Sequence, residues 1–426
     1  MVLIFVLMGV LLLVGAPLVA AFGLPIFFTM DQLGLSITAL SNIPYEEVAS
    51  FKLIAIPLFM FTGMLMSASG MARELIALAD KVLGRLNGAF GYIVIAASAI
   101  MGAINGSSVA TVAAIGAIVS PEMIRRGYPA GYVASLTATA GLLGVLLPPS
   151  IPLILYGATV GVSVTQLFTA TLVPAAVMSL LFLLVHIFLA PRVLPQGREQ
   201  VLDTSIQKAA SDAPPLRVAL RVGSVLMLPV IILGGIYGGI MTPTEAAAVG
   251  CLYAIIVVLV RRMATREAIT GALRTSIITG AAILFVIALT GVFNRAMVLN
   301  QVPQQLAMWL ATQIESPTMF LFLVNAVLLL VGSFMETNAS ILMMGPLLAP
   351  AAANFNIDPV HFGIVVATNL EIGLLTPPMA ANLYVAARAA NVPMMKMMRY
   401  LAWFFAAALV GQVLITYFPI LTLWYR

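Results

Sequence analysis

The residues able to do chemistry fall in four short stretches. Two carry consecutive prolines behind a glycine: Gly144-Val145-Leu146-Leu147-Pro148-Pro149-Ser150 and Gly373-Leu374-Leu375-Thr376-Pro377-Pro378-Met379. Two are polar islands in apolar sequence: Asn105-Gly106-Ser107-Ser108 and Met335-Glu336-Thr337-Asn338. Proline has no N–H, and its ring clashes with the carbonyl four residues back. Pro148 and Pro149 thus free the carbonyls of Gly144 and Val145, and Pro377 and Pro378 those of Gly373 and Leu374. Bare carbonyls at membrane depth need a partner. A sodium ion is one; neighbouring hydroxyls across a simple kink are the other. The islands supply further oxygens. They can also cap helices starting at Val109 and Ala339, a role compatible with ion binding. Helix N-termini aimed at the centre favour an anionic substrate.

Other polar residues weigh less. Glu336 and Glu371 are ionisable groups in apolar surroundings, so each is a candidate for ion or substrate binding, against a hydrogen-bonded pair inside the bundle. Thr242-Pro243-Thr244-Glu245 reads as a capping box with proline at the first helical position, which makes Glu245 structural. Arg295 reads as an interface anchor, and His186 and His361 as structural. The single cysteine, Cys251, excludes a disulfide framework and a Cys-based zinc site. No G-x-x-x-x-G-K-[ST] pattern occurs, so the chain is not itself an ATPase. Neither histidine lies near a Gly-x-Ser-x-Gly, and no apolar core segment holds an aspartate, which disfavours an intramembrane protease. No enzyme activity is expected, and no cofactor apart from sodium as the coupling ion.

These stretches must be positioned by membrane helices. Of 426 residues, 62% are hydrophobic and 8% charged, where a soluble domain carries about 45–50% and about 25%. The mean hydropathy is +1.11. Long unbroken apolar runs favour helices over the alternation of transmembrane strands. Apolar segments fall at 1–28, 54–69, 88–104, 109–124, 129–158, 165–190, 223–240, 244–260, 275–293, 317–334, 339–353, 360–387 and 400–423. The first is either one tilted helix or two short ones broken at Gly15-Ala16-Pro17. No basic region precedes it, so a cleaved signal peptide is not expected.

The polar stretch 191–222, with Arg192, Arg198, Lys208, Arg217 and Arg221, reads as a cytoplasmic linker between halves 1–190 and 223–426. The clusters Lys81/Arg85, Arg125/Arg126, Arg261/Arg262/Arg266/Arg274 and Arg388/Lys396/Arg399 then share its side, as the positive-inside rule requires. The net charge of +5 therefore marks membrane orientation, not nucleic acid.

The halves align at one offset of 229 residues: Ala110 with Ala339, Gly116 with Gly345, Pro121 with Pro350, Gly144 with Gly373 and Pro148-Pro149 with Pro377-Pro378. The amphipathic stretch 71–85, suited to the interface, aligns with 300–314. The first falls inside and the second outside, so the repeats are inverted, as in secondary transporters with a midplane site. In each half a segment pair flanks a polar island (88–124 and 317–353), followed by a Pro-Pro-broken helix (129–158 and 360–387). Each pair is either two ordinary spans or a re-entrant hairpin with its tip at mid-depth.

The motifs resemble the large, DctM-type membrane subunit of tripartite ATP-independent periplasmic (TRAP) transporters, over nearly the whole chain. The resemblance rests on Ile56-Pro57-Leu58-Phe59 with Gly63, Asn105 to Thr111, and Pro121-Glu122-Met123 with Gly127-Tyr128. It extends through Gly144 to Ser150 with Tyr156-Gly157, Asp358 to Gly363, and Gly373 to Met379. It implies an all-α sodium symporter of the ion-transporter superfamily in the bacterial inner membrane. An elevator-type transport domain of two hairpins and two broken helices would move against a scaffold. It implies a small organic-acid substrate of C4-dicarboxylate or sialic acid type, a periplasmic substrate-binding protein, and a separate small four-helix membrane subunit. Carried onto this chain, sodium site 1 is Asn105, Ser107, Ser108, Gly144, Leu147 and Pro149. Sodium site 2 is Gly332, Thr337, Gly373, Thr376 and Met379. Substrate contacts fall to Ser107, Ser108, Glu336, Thr337, Asn338, Pro149 and Pro378. Asn105 and Met379 depart from the commoner family residues. The competing reading is an organic-anion symporter without a binding protein, proton-coupled through Glu336 and Glu371.

Overall fold

A computed structural model describes residues 2–30, 33–84, 86–194 and 215–426. Regular structure among the described residues is entirely helical. Among the described residues, seven helices are long and apolar enough to cross a membrane, eight if the bent pair Ala130–Leu146 and Ile151–Thr159 is one span. Large apolar side chains such as Val260, Phe322 and Leu330 stay on the outside of the bundle, as a lipid-facing surface requires. The chain is an all-α multi-pass membrane protein. Arg85, Arg198 and Lys208 lie outside the described residues.

The first apolar segment is two helices, α1 Val2–Leu13 and α2 Leu18–Thr29. Gly15 turns the chain between them at φ +81°, a left-handed conformation that glycine adopts freely. Twelve residues make about 18 Å of helix, short of a hydrocarbon core of about 30 Å. Helix α3, Ile37–Val48, was not among the predicted segments. A 3-10 turn at Phe51–Ile54 then leads into α4, Ala55–Ser69, which Gly70 joins to the amphipathic α5, Met71–Leu83.

The first island joins α6, Ala89–Asn105, to α7, Ser108–Arg125. The segment after them is three pieces: α8 Ala130–Ala140, the single turn α9 Leu143–Leu146, and α10 Ile151–Thr159. Helices α11 Val164–Ala170 and α12 Leu172–Val193 close the first half. The next described helix, α13 Pro215–Tyr237, begins inside the predicted linker. It leads to α14 Pro243–Val260, α15 Arg266–Leu299 and α16 Val302–Gln313. The second island joins α17 Pro317–Phe334 to α18 Thr337–Asn354. Helix α19 Pro359–Gly373 breaks before α20 Ala381–Ala389, and α21 Met395–Tyr417 and α22 Ile420–Leu423 finish the chain.

Polar contacts join segments that the charge pattern assigns to the same membrane face. Arg261 forks onto Glu74 at 2.5 and 3.0 Å and reaches Ser224 Oγ at 2.9 Å. Ser135 Oγ donates to the Met397 carbonyl at 3.0 Å. On the opposite face Arg426 pairs with Asp358, and the Tyr156 hydroxyl donates to the Pro359 carbonyl at 3.1 Å. Both histidines are structural, as expected. His186 Nδ1 meets the Tyr132 hydroxyl at 2.5 Å and its Nε2 the Gly88 carbonyl at 2.9 Å. His361 meets Thr422 at 2.7 Å and the Thr416 carbonyl at 3.2 Å.

His186 ties α12 to α8 and to the start of α6 with its side chain fully buried. His186→Ala strands the Tyr132 hydroxyl and the Gly88 carbonyl, each buried orphan costing about 1–3 kcal/mol. A thermal melt of the detergent-purified variant is expected to show a clear fall in midpoint.

Candidate functional site

Each polar island meets a proline break. At the first, Asn105 Oδ1 accepts from the Ser107 N–H at 3.2 Å and from Thr111 Oγ1 at 3.1 Å. Gly106 takes φ +64°, and its carbonyl accepts from the Ile151 N–H beyond Pro149 at 3.2 Å. Ser107 caps α7 through the Ala110 N–H. The close approach depends on glycine. A methyl on Gly102 would stand 2.5 Å from the Leu143 carbonyl oxygen, and one on Gly144 would stand 2.4 Å from Thr111 Oγ1. Asn105, Ser107, Gly144 and Pro149 are thus brought together. Ser108 opens α7 beside them, and Ser150 Oγ is buried without a partner. Leu147 is the C-cap of the single-turn helix α9.

The second island repeats the plan with different detail. A methyl on Gly373 would lie 2.6 Å from Gly332 Cα, backbone against backbone. The Met379 N–H donates to the Ser333 carbonyl at 2.8 Å. Each pair, Pro148-Pro149 and Pro377-Pro378, holds a cis peptide bond. The Gly373 carbonyl is not bare: Thr376 gives it both its N–H, at 2.9 Å, and its hydroxyl, at 2.6 Å. Glu336 is the N-cap of α18, accepting from the Asn338 N–H at 3.1 Å, the Ala339 N–H at 3.4 Å and Asn338 Nδ2 at 2.5 Å. Helix α18 accordingly starts at Thr337, two residues before the expected Ala339. Glu245 makes the predicted capping box with Thr242. The first break is buried, whereas Pro377, Pro378 and Met379 are exposed.

Glu371 stands between the islands. It is 2% exposed and lies beside the Ser108 and Thr337 hydroxyls, with Glu336 close enough to interact electrostatically. One Glu371 oxygen, Thr337 Oγ1 and Asn338 Oδ1 are buried with no hydrogen-bond partner. Unsatisfied oxygens at a broken helix suit a cation that sheds its water, so the residues present fit a sodium ion at both breaks.

A cavity of about 840 Å³ reaches the first island from the face carrying the basic loops. Met60, Gly63 and Met64 of α4 form one wall, and Ala110, Ala113, Ala114 and Ala117 of α7 another. Asn105 and Ser107 lie at the island, and Arg73 of α5 also lines the space. Ser107 is the substrate candidate that lines this cavity; Ser108, Pro149, Glu336, Thr337, Asn338 and Pro378 do not. Arg73 and Thr111 were not singled out from sequence. Thr111 sits six residues past Asn105, a spacing that becomes informative once α6 and α7 are known to fold together. Arg73 lies in the amphipathic stretch 71–85, and amphipathic spacing does not reveal what the polar side faces.

A multi-pass bundle with broken helices set against polar islands is the architecture of a membrane transport protein. Residues 1–421 match the family described as the tripartite ATP-independent periplasmic transporter, DctM component, and the chain belongs to it. It is 37% identical, over 91% of its length and 89% of the other, to the C4-dicarboxylate TRAP transporter large permease protein DctM of Pseudomonas aeruginosa. It is 31% identical to the sialic acid TRAP transporter large permease protein SiaM of Vibrio cholerae, over 94% of each. It is 33% identical to the isethionate TRAP transporter permease protein DctMQ of Oleidesulfovibrio alaskensis, over 97% of this chain and 64% of that one. In fold it is similar to the Alcanivorax borkumensis YdaH transporter, with a TM-score of 0.66, 16% identity and coverage of 92% and 90%. Like its relatives it is a transporter permease subunit, not an enzyme.

Gly144→Ala and Gly373→Ala each force a methyl into fixed backbone or a buried hydroxyl, an overpacking cost of about 1–3 kcal/mol. Gly234→Ala adds a methyl in open space within α13 and is expected to leave the melting midpoint unchanged or raise it. Melting curves of the three variants check the contrast.

Proposed function

We propose that this chain is the large permease subunit of a sodium-driven importer of a small carboxylate-bearing acid, of C4-dicarboxylate or sialic acid type. The observation that carries the reading is the pairing of each polar island with a proline break. At both, unpartnered oxygens and helix ends converge, which is how broken-helix transporters hold their ions. Sodium binds at Asn105, Ser107, Ser108, Gly144, Leu147 and Pro149, and at Gly332, Thr337, Gly373, Thr376 and Met379. The hydrogen bonds already made to the Gly373 carbonyl leave Thr337 Oγ1 as the readier ligand of the second set.

The islands act as tips of re-entrant hairpins. Each tip abuts a break, and a nine-residue helix continues beyond it, α10 or α20, so the tips lie at mid-depth. The two halves, 1–190 and 223–426, are inverted repeats. Hairpins and broken helices together form a transport domain that moves against a scaffold by an elevator mechanism. The cavity beside α7 opens toward the basic, cytoplasmic face of the inner membrane and is the release path. Glu336 already places a carboxylate on the N-terminus of α18, whereas α7 is capped by the neutral Ser107. A substrate carboxylate therefore favours Ser107 and Ser108 at the first tip, with Arg73 as a cation along the path. A periplasmic binding protein delivers the substrate, and a small membrane subunit completes the scaffold.

In proteoliposomes, uptake is expected to need inward-directed Na⁺ in place of choline, together with the cognate binding protein and small subunit. Uptake indifferent to Na⁺ overturns the reading. Arg73→Gln is expected to raise the KM for efflux from the cytoplasmic side several-fold while influx changes little; equal effects in both directions remove Arg73 from the release path. Sodium-driven uptake that survives Glu336→Gln unchanged counts against the proton-coupled alternative.

A further inference from the structure

We infer that the N-terminus of α20, with the side-chain amide of Asn382, is a second carboxylate subsite for the transported acid, alongside the one assigned to Ser107 and Ser108. The inference rests on the reading of an acid substrate above and deepens it, since the acid it selects carries a second carboxylate. Asn382 belongs to neither proposed sodium set and is not among the proposed substrate contacts. Its side chain is 0% exposed, and both Oδ1 and Nδ2 lack a hydrogen-bond partner. Buried side-chain amides are normally paired. The corresponding residue of the first half, four positions past its second proline, is Leu153, which is also buried. Packing at such a position therefore does not call for an amide, whereas a ligand does.

The helix end supplies the other donors. Side chains cap α7, α18 and α19, through Ser107, Glu336 and Asp358. Helix α20 instead starts after Ala380, whose methyl cannot cap it. Leu383 and Tyr384 give their N–H groups to the Ala380 carbonyl at 2.9 and 3.1 Å, while those of Ala381 and Asn382 have no acceptor among the described residues. At the matching break the Ile151 N–H is taken by the Gly106 carbonyl. Asn382 is the second residue of α20, and helical side chains lean toward the N-terminus, so its Nδ2 joins the two free N–H groups. Three donors at the positive end of a helix suit a carboxylate. The Oδ1 atom accepts from a hydroxyl on the carbon beside that carboxylate. Pro377, Pro378 and Met379 are exposed, which leaves this end open to the acid. Helices α7 and α20 both run from a break or tip toward the basic face, with Arg125 and Arg388 in their last turns. They pack closely, a methyl on Gly116 standing 3.0 Å from Ala389 Cβ. Seven residues back along each helix, at the same rise per residue, Asn382 is level with Val109, next to Ser108. One short acid therefore reaches both subsites.

The test is a titration of the melting temperature of the detergent-purified chain, at saturating Na⁺ and fixed ionic strength, since a ligand of the folded state alone raises it. The probes are malate (two carboxylates and a hydroxyl), succinate (two carboxylates) and lactate (one carboxylate and a hydroxyl). For the wild-type chain the midpoint is expected to be lowest for malate, then succinate, then lactate. Asn382→Leu, which installs the first half's residue, is expected to melt at or above the wild type without acid. Its malate and succinate midpoints are expected to rise about tenfold, the worth of one hydrogen bond to a charged group, and its lactate midpoint to change little. Asn382→Asp brings its own carboxylate to the helix end. It is expected to melt higher without acid and to lose the preference for malate and succinate over lactate, which a purely structural role would not produce. An Asn382→Leu titration that overlays the wild type overturns the inference, as does a wild-type chain that responds to none of the three acids. A rise in the Na⁺ midpoint of Asn382→Leu without acid, with its malate midpoint unchanged, makes the amide an ion ligand and also overturns it. Should Asn382→Leu fail to fold, Asn382→Asp decides, and a wild-type order of acids in that variant overturns the inference. Ser107→Ala probes the reading beneath. If it weakens no acid while Asn382→Leu still weakens malate, the assignment at the first tip falls and the α20 subsite stands.

Discussion

The architecture depends on backbone meeting backbone at two glycine contacts, Gly102 against Gly144 and Gly332 against Gly373. In hydrocarbon there is no water to satisfy a broken helix, so irregular backbone persists only where protein covers it or polar groups converge. The glycines bring each break within hydrogen-bond range of an island: Gly106 with Ile151, and Ser333 with Met379. Any side chain at these positions would separate the two elements by the width of a methyl and leave carbonyls facing lipid. Small residues at helix contacts are how membrane proteins obtain such proximity. Here they obtain a polar centre as well.

Around that centre the two halves are alike in plan and unlike in electrostatics. The first island is neutral, its cap a serine and its Asn105 amide oxygen accepting from Thr111. The second carries Glu336, which spends its oxygens on its own helix. The first break is buried and the second is open at Pro377 and Pro378. The island of the first half is therefore the less charged of the two, and the cavity reaches it from the basic face.

Much of this was legible in the sequence, and the reasons differ from place to place. Pro317–Phe334 matches its predicted span, because a proline start and a polar stop bracket it. The capping box at Thr242 is local chemistry and needs no fold. Helix α3 escaped because Ser41, Asn42, Pro44, Glu46 and Glu47 break every apolar period; it is helical because it packs on α15. Glu336 reads as a ligand candidate from its apolar surroundings alone; its hydrogen bonds to α18 follow from the helix start at Thr337, which the sequence does not mark. Thr111 and Arg73 act across tertiary contacts, which periodicity along one helix cannot reveal.

The alanine wall of α7 has a consequence for the width of the cavity. Ala110, Ala113, Ala114 and Ala117 recur on one helical face over about two turns, and each ends in a single methyl. Such a surface has no rotamers that could swing into the opening, so on the α7 side the space between α7 and α4 is set by backbone alone. Leucines in the same positions would reach across toward α4 and fill it.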